Sequence, residues 1–251
     1  MSKHDIVYLL KNNYDSEELR YSIRSVIQNF PYKRIVFVGG KPDGIKPDIY
    51  IPDEQKGSTK AERSTHSLKK ALADNRLTED IWLFNDDFFI MDRVTEDINY
   101  FSGTLDKRIL DIRRARGFST YCRGLEVMRG QLFNLGKDTL SFALHIPMLV
   151  NRAQALMLFD KFPDLKMFRS FYGNYFEIDC RRMDDVKVLD LDTVPDTAYI
   201  STSDESFKDG KVGEFLRAYF DKPSQYELSK EEVLQEEIKE IYNEEGEIRY
   251  E

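Results

Sequence analysis

Cysteine, histidine and long apolar runs are what this sequence has little of, and each shortage removes a class of protein. Its two cysteines, Cys122 and Cys180, form neither a disulfide framework nor a metal-type spacing. The three histidines, His4, His66 and His145, are too scattered to suggest a zinc site. No apolar stretch approaches the ~20 residues that span a bilayer. The opening Met1-Ser2-Lys3-His4-Asp5 has no signal-peptide core, so a reduced, cytoplasmic protein is the expectation. There is no internal repeat. A formal charge of -8 weighs against a chain that holds nucleic acid by phosphate neutralisation alone. Aromatics are abundant instead. The 17 Phe and 14 Tyr suit a packed core and a sugar cleft equally well.

The 251 residues fit one large α/β domain, or one with an appended lobe. Asp5–Leu10 reads as a buried strand. Asp15, with Glu18 three residues on, resembles a capping box opening a helix to about Asn29, with Leu19, Ile23, Val26 and Ile27 on its apolar face. Arg34–Val38 is a second strand ended by Gly39-Gly40, and Ile49–Ile51 a third. Thr59 and Glu62 cap a helix carrying Leu68, Ala71 and Leu72. Ile81–Phe84 is a short apolar strand. Strands alternating with helices predict a parallel or mixed sheet with helices on both faces.

The second half is less regular. Arg108, Arg113, Arg114, Arg116, Arg123 and Arg129 make one stretch basic, which reads first as a solvated face. A helix is expected from about Arg152 through Phe159 and a strand over Val186–Asp190. Arg169–Asn174 reads as a cation beside a Gly-Asn turn, and Ser201–Ser206 as a polar loop entering a helix at about Val212–Tyr219. The Glu- and Lys-rich residues 229–251 are expected as an exposed helix and tail.

Trp82-Leu-Phe-Asn-Asp-Asp-Phe-Phe-Ile-Met91 carries the most chemistry. Asp86 and Asp87 follow a buried strand, where open α/β sheets bind their ligands. A nucleotide diphosphate takes a divalent cation across its oxygens, and that cation needs hard carboxylate ligands. A solvated Asp-Asp turn is the plain alternative. Arg20 and Arg24 share a helix face and could clamp a phosphate, or serve as surface charges paired with Glu17 or Glu18. His145, between Leu144 and Ile146-Pro147, is either a general base or a satisfied core histidine.

Taken in order, these segments resemble the Stealth family of sugar-phosphate transferases, which make capsular polysaccharide and include the lysosomal-enzyme GlcNAc-phosphotransferase. The matching pieces are Glu18-Leu-Arg-Tyr-Ser-Ile-Arg-Ser25, Arg34–Val38, Phe84-Asn-Asp-Asp-Phe88, His145-Ile-Pro147, Ser203-Asp204 and Phe220–Glu227. They span roughly residues 5 to 227. The family's Trp-Val-Asp-Gly stretch after the first strand is replaced here by Lys11-Asn12-Asn13.

The resemblance implies a glycosyltransferase A-like mixed α/β sheet: a single transferase domain over 1–228, with a nucleotide half of about 1–100 and an acceptor half of about 101–228. It implies a small bacterial or phage transferase that uses Mg²⁺ or Mn²⁺ and a nucleotide sugar, most simply a UDP-sugar. Asp86 and Asp87 would hold the metal, and Arg20, Arg24 and Lys60 would neutralise phosphate. Asn85 would orient the loop, His145 would be the base, and Arg169 and Asp204 would sit near donor sugar or acceptor. The acceptor is a hydroxyl group of a glycan or, for a phage protein, a modified DNA base. Transfer of sugar 1-phosphate with release of UMP stays open, as does a non-catalytic carbohydrate-binding protein of the same fold. A two-metal phosphohydrolase usually needs more carboxylates and histidines than these motifs supply.

Overall fold

The structure, a computed structural model, describes residues 3–12 and 16–235. In chain order its elements are β1 (His4–Leu10), α1 (Glu17–Asn29), β2 (Tyr32–Gly39), β3 (Ile49–Ile51), α2 (Lys60–Ala73), β4 (Asp80–Phe84), β5 (Phe88–Ile90), β6 (Asn99–Phe101) and α3 (Leu105–Arg116). There follow α4 (Thr120–Asn134), β7 (Met148–Asn151), α5 (Arg152–Lys161), α6 (Phe168–Tyr175), β8 (Cys180–Arg182), β9 (Lys187–Val188), β10 (Tyr199–Thr202), α7 (Asp204–Asp209) and α8 (Lys211–Tyr219). No helix among the described residues is long and apolar enough to cross a membrane.

The main sheet is mixed, in the order β3-β2-β1-β4-β7. Its first four strands run parallel and β7 closes the edge antiparallel to β4. Side chains of β1 alternate between two cores, as a strand buried on both faces requires. Val7 joins α2, α4, α5 and α6 through Leu68, Leu72, Leu125, Leu158 and Phe171. Ile6 and Tyr8 join α1 through Leu19, Ile23 and Val26. Helices thus cover both faces, as the strand–helix alternation predicts. A second sheet, β5-β10-β9, carries α7 and α8 on a small core of Phe89, Ile200, Phe207, Val212 and Leu216. β6 and β8 form a parallel pair.

Several expectations shift. Asp15 lies outside the described residues. Ser16 holds the N-cap position of α1, with no side-chain cap bond. Ile27 faces outward, 37% exposed. The capping box at Thr59 and Glu62 forms as expected. The strand expected over Val186–Asp190 shrinks to two residues. The residues expected as a Gly-Asn turn lie inside α6, where Gly173 has no side chain because the Phe142 ring packs directly against it; a Cβ there would stand 2.6 Å from that ring. The basic stretch folds into the hairpin of α3 and α4, cross-linked by Arg113 to Glu126 and Arg129 to Asp106. Of the charged C-terminal segment, residues 230–235 are helical and the rest lies outside the described residues.

Candidate active site

β4 ends at Phe84, and the turn Asn85-Asp86-Asp87 carries the chain directly into β5. That turn steps from the main sheet into the second one. Phe84 and Phe88, both buried, anchor its two ends and fix where the carboxylates emerge. They emerge into a cavity of ≈ 660 Å³ at the carboxyl ends of β1 and β4. This is where a parallel α/β sheet leaves room for a ligand.

α1 forms one side of the site, and its residues explain how. Glu18, Ser22, Ser25 and Asn29 repeat at helical spacing as a polar stripe beside the apolar stripe of Leu19, Ile23 and Val26. The stripe satisfies the open edge of β5. Ser22 Oγ donates to the Phe88 carbonyl at 2.5 Å, Ser25 Oγ accepts from Ile90 N at 3.0 Å, and Asn29 Nδ2 donates to the Ile90 carbonyl at 2.7 Å. Glu18, first in the stripe, does not reach back as a cap. It is buried and accepts a 2.5 Å hydrogen bond from Thr202 Oγ1. Burial raises its pKa to about 7, and the charges of Asp86, Asp87 and Asp204 push the same way. Asp86 is also raised, first by burial and then by Asp87, with Lys60 opposing.

Asp87 has a different environment. In the second sheet Ser201 pairs with Phe88 on one side and with Lys187 on the other. That register delivers Ser201 Oγ to 2.9 Å and Lys187 Nζ to 2.5 Å from Asp87 Oδ2.

The second half of the chain supplies the facing wall. His145 lines the cavity, and its Nδ1 meets Asp185 Oδ2 at 2.9 Å while its backbone N–H donates to Asp185 Oδ1 at 3.1 Å. Nε2 is the ring nitrogen left for the cavity. Burial alone would raise Asp185, but the His145 contacts and the charge of Arg108 outweigh it and hold the carboxyl below its usual range. Arg169, from α6, donates Nη1 to the carbonyls of Leu144 (3.0 Å) and Ile146 (2.7 Å), so it straps the histidine loop in place. Its guanidinium lies over the Phe88 ring at 5.6 Å, and burial lowers its pKa to about 10. Lys60, at the start of α2, Asn85, and Asp204, at the start of α7, also line the cavity.

The cavity therefore brings together Asp86, Asp87, Asn85, Lys60, His145, Arg169 and Asp204. It does not bring Arg20 or Arg24. Arg20 donates to the carbonyls of Asp43 (2.7 Å) and Gly44 (3.4 Å). Arg24 makes a two-pronged pair with Glu227, at 2.8 and 2.6 Å, and donates to the Phe220 carbonyl at 2.7 Å. With 11% and 9% of the two side chains exposed, this pair is a buried tie between α1 and residues 220–227. Arg24→Ala should strand the Glu227 carboxylate and cost about 3–5 kcal/mol of stability. Chemical denaturation beside a UDP titration checks this: unfolding should shift and UDP affinity should not. Glu18, Asp185 and Lys187 take part in the site without having been expected there from sequence. Only Glu18 had a readable signal, as the first member of the buried polar stripe.

Among the described residues, no group of three or more His, Cys, Asp or Glu is disposed to enclose a metal ion. Two adjacent carboxylates on one cavity nevertheless suit Mg²⁺ or Mn²⁺, which keep bound water and complete their shell with phosphate oxygens. Asp86, held against both burial and a neighbouring charge, is the member that gains most from a cation.

No family profile matches the chain, and no curated protein matches it. Among solved structures, the fold is similar to the galactosyltransferase LgtC, solved with donor and acceptor sugar analogs. The TM-score is 0.51 at 11% identity, over 90% of this chain and 98% of that one. The apo-form glycosyltransferase GlyE of Streptococcus pneumoniae TIGR4 gives a TM-score of 0.41 at 12% identity, over 95% of this chain and 64% of GlyE. At this identity the likeness to LgtC is one of fold, the mixed α/β sheet described above.

Proposed function

We propose that this chain transfers a sugar from a nucleotide sugar, a UDP-sugar in the simplest case, to a hydroxyl acceptor. One observation carries the proposal. A single cavity at the strand ends joins a paired-carboxylate turn to a histidine held by an aspartate. The LgtC-like fold supports the same reading. The half of about 1–100 would hold most of the nucleotide, and the half of about 101–228 the acceptor.

The chemistry follows from these groups. Asp86 and Asp87 would hold a divalent cation, whose positive charge would offset that of the departing nucleotide. Lys60 faces the same charge from α2. Asp204 accepts hydrogen bonds from sugar hydroxyls at the cavity edge. His145 Nε2 takes the proton of the acceptor hydroxyl as its oxygen bonds to the anomeric carbon. The bond from that carbon to the phosphate oxygen breaks, and its electron pair leaves with the nucleoside diphosphate. Asp185 keeps the ring oriented and balances the charge it gains. Arg169 keeps the loop that carries His145 against β4.

The test is a panel of nucleotide sugars with Mn²⁺ and simple hydroxyl acceptors, scored for the nucleotide released. UDP is the expected product. Release of UMP would mean that phosphate moves with the sugar. Donor binding with no release would assign a carbohydrate-binding protein instead.

A further inference from the structure

Asp87 already has a cation of the chain's own. Lys187 Nζ lies 2.5 Å from Asp87 Oδ2 and also donates to the Thr202 carbonyl. Ser201 Oγ adds a second bond to the same carboxylate oxygen, at 2.9 Å. With 20% of the lysine and 14% of the aspartate side chain exposed, the pair is poorly screened by water. Its placement follows from strand pairing, since Lys187 stands beside Ser201 and Ser201 beside Phe88, the residue after Asp87. Lys187 also lines the cavity.

An ammonium has three N–H donors. Two are used, on Asp87 and on Thr202, which leaves one more on a residue that lines the cavity. Neutralising Asp87 also removes one of the two negative charges that a diphosphate entering the turn would otherwise meet.

We propose that Lys187 is a resident cation of the donor site: it covers Asp87 and contacts the diphosphate, so that a nucleoside diphosphate binds without metal. This inference rests on the donor-site reading above. A divalent ion, when present, then depends chiefly on Asp86.

The experiment is calorimetric titration of the full chain with UDP, in EDTA and in Mn²⁺, for wild type and Lys187→Met. Wild type should bind UDP in EDTA within about tenfold of its affinity in Mn²⁺. Lys187→Met should lose about 10- to 100-fold in EDTA, the usual range for a charged hydrogen bond, and clearly less in Mn²⁺. Wild-type binding that vanishes in EDTA overturns the proposal, and this arm stands even if the variant does not fold. Equal affinity of both proteins in EDTA overturns it too. UDP binding in neither buffer removes the donor site itself and the proposal with it. Binding in Mn²⁺ alone removes only the role of Lys187.

Discussion

Asp86→Ala is expected to lower turnover by at least about 10³-fold, because a cation-stabilised leaving group contributes several kcal/mol to such a reaction. The same substitution should not weaken the fold. Asp86 is held against burial and against the charge of Asp87, so its carboxylate costs stability in the metal-free protein. Thermal unfolding in EDTA should therefore show the variant at least as stable as wild type. Asp87→Ala should behave differently. It strips Lys187 and Ser201 of their shared partner, so stability falls along with turnover. Two neighbouring carboxylates thus give opposite signs in one unfolding assay. Wild-type turnover in Asp86→Ala would sink the metal-site hypothesis.

That contrast was beyond the sequence, and the reason is physical. A buried parallel strand announces itself locally, because nearly every side chain on it is apolar; Asp5–Leu10, Arg34–Val38 and Ile81–Phe84 are legible by their apolar runs. Asp86 and Asp87 are legible as a consequence, since the strand that precedes them predicts where they emerge. Lys187 reaches Asp87 across 100 positions of chain through a strand only two residues long, and no local pattern encodes that. Asp185 reaches His145 across 40 positions from an irregular segment. Arg24 shows the converse failure. Its helical spacing to Arg20 is real, but its partner Glu227 lies 203 positions away, so a structural tie and a phosphate clamp look alike in sequence. Arg169 belongs between these cases. It stands in the cavity wall, while its bonds to the Leu144 and Ile146 carbonyls give it the work of holding a loop.

His145→Gln is expected to cut the transfer rate by about 10²–10⁴-fold, the usual effect of losing a general base. UDP affinity and thermal unfolding should stay close to wild type, because the ring is about one-third exposed and its only side-chain hydrogen bonds among the described residues go to Asp185. A core histidine would give the opposite pattern: lower thermal stability, with activity falling only as the folded fraction falls. Asp185→Asn separates the two further. An amide can donate to Nδ1, which moves the ring proton to Nε2 and removes the lone pair that accepts from the hydroxyl. Turnover should then drop by about 10²-fold with little change in donor KM. The Asp185 carboxyl is held below its usual range, so it stays ionised through neutral pH and is not the source of an acid limb there. A merely structural aspartate would instead lower thermal stability, with turnover falling only as the folded fraction falls. Full activity in both variants, on stable protein, would leave the base to another group on the cavity, with Asp204 the nearest in chemistry.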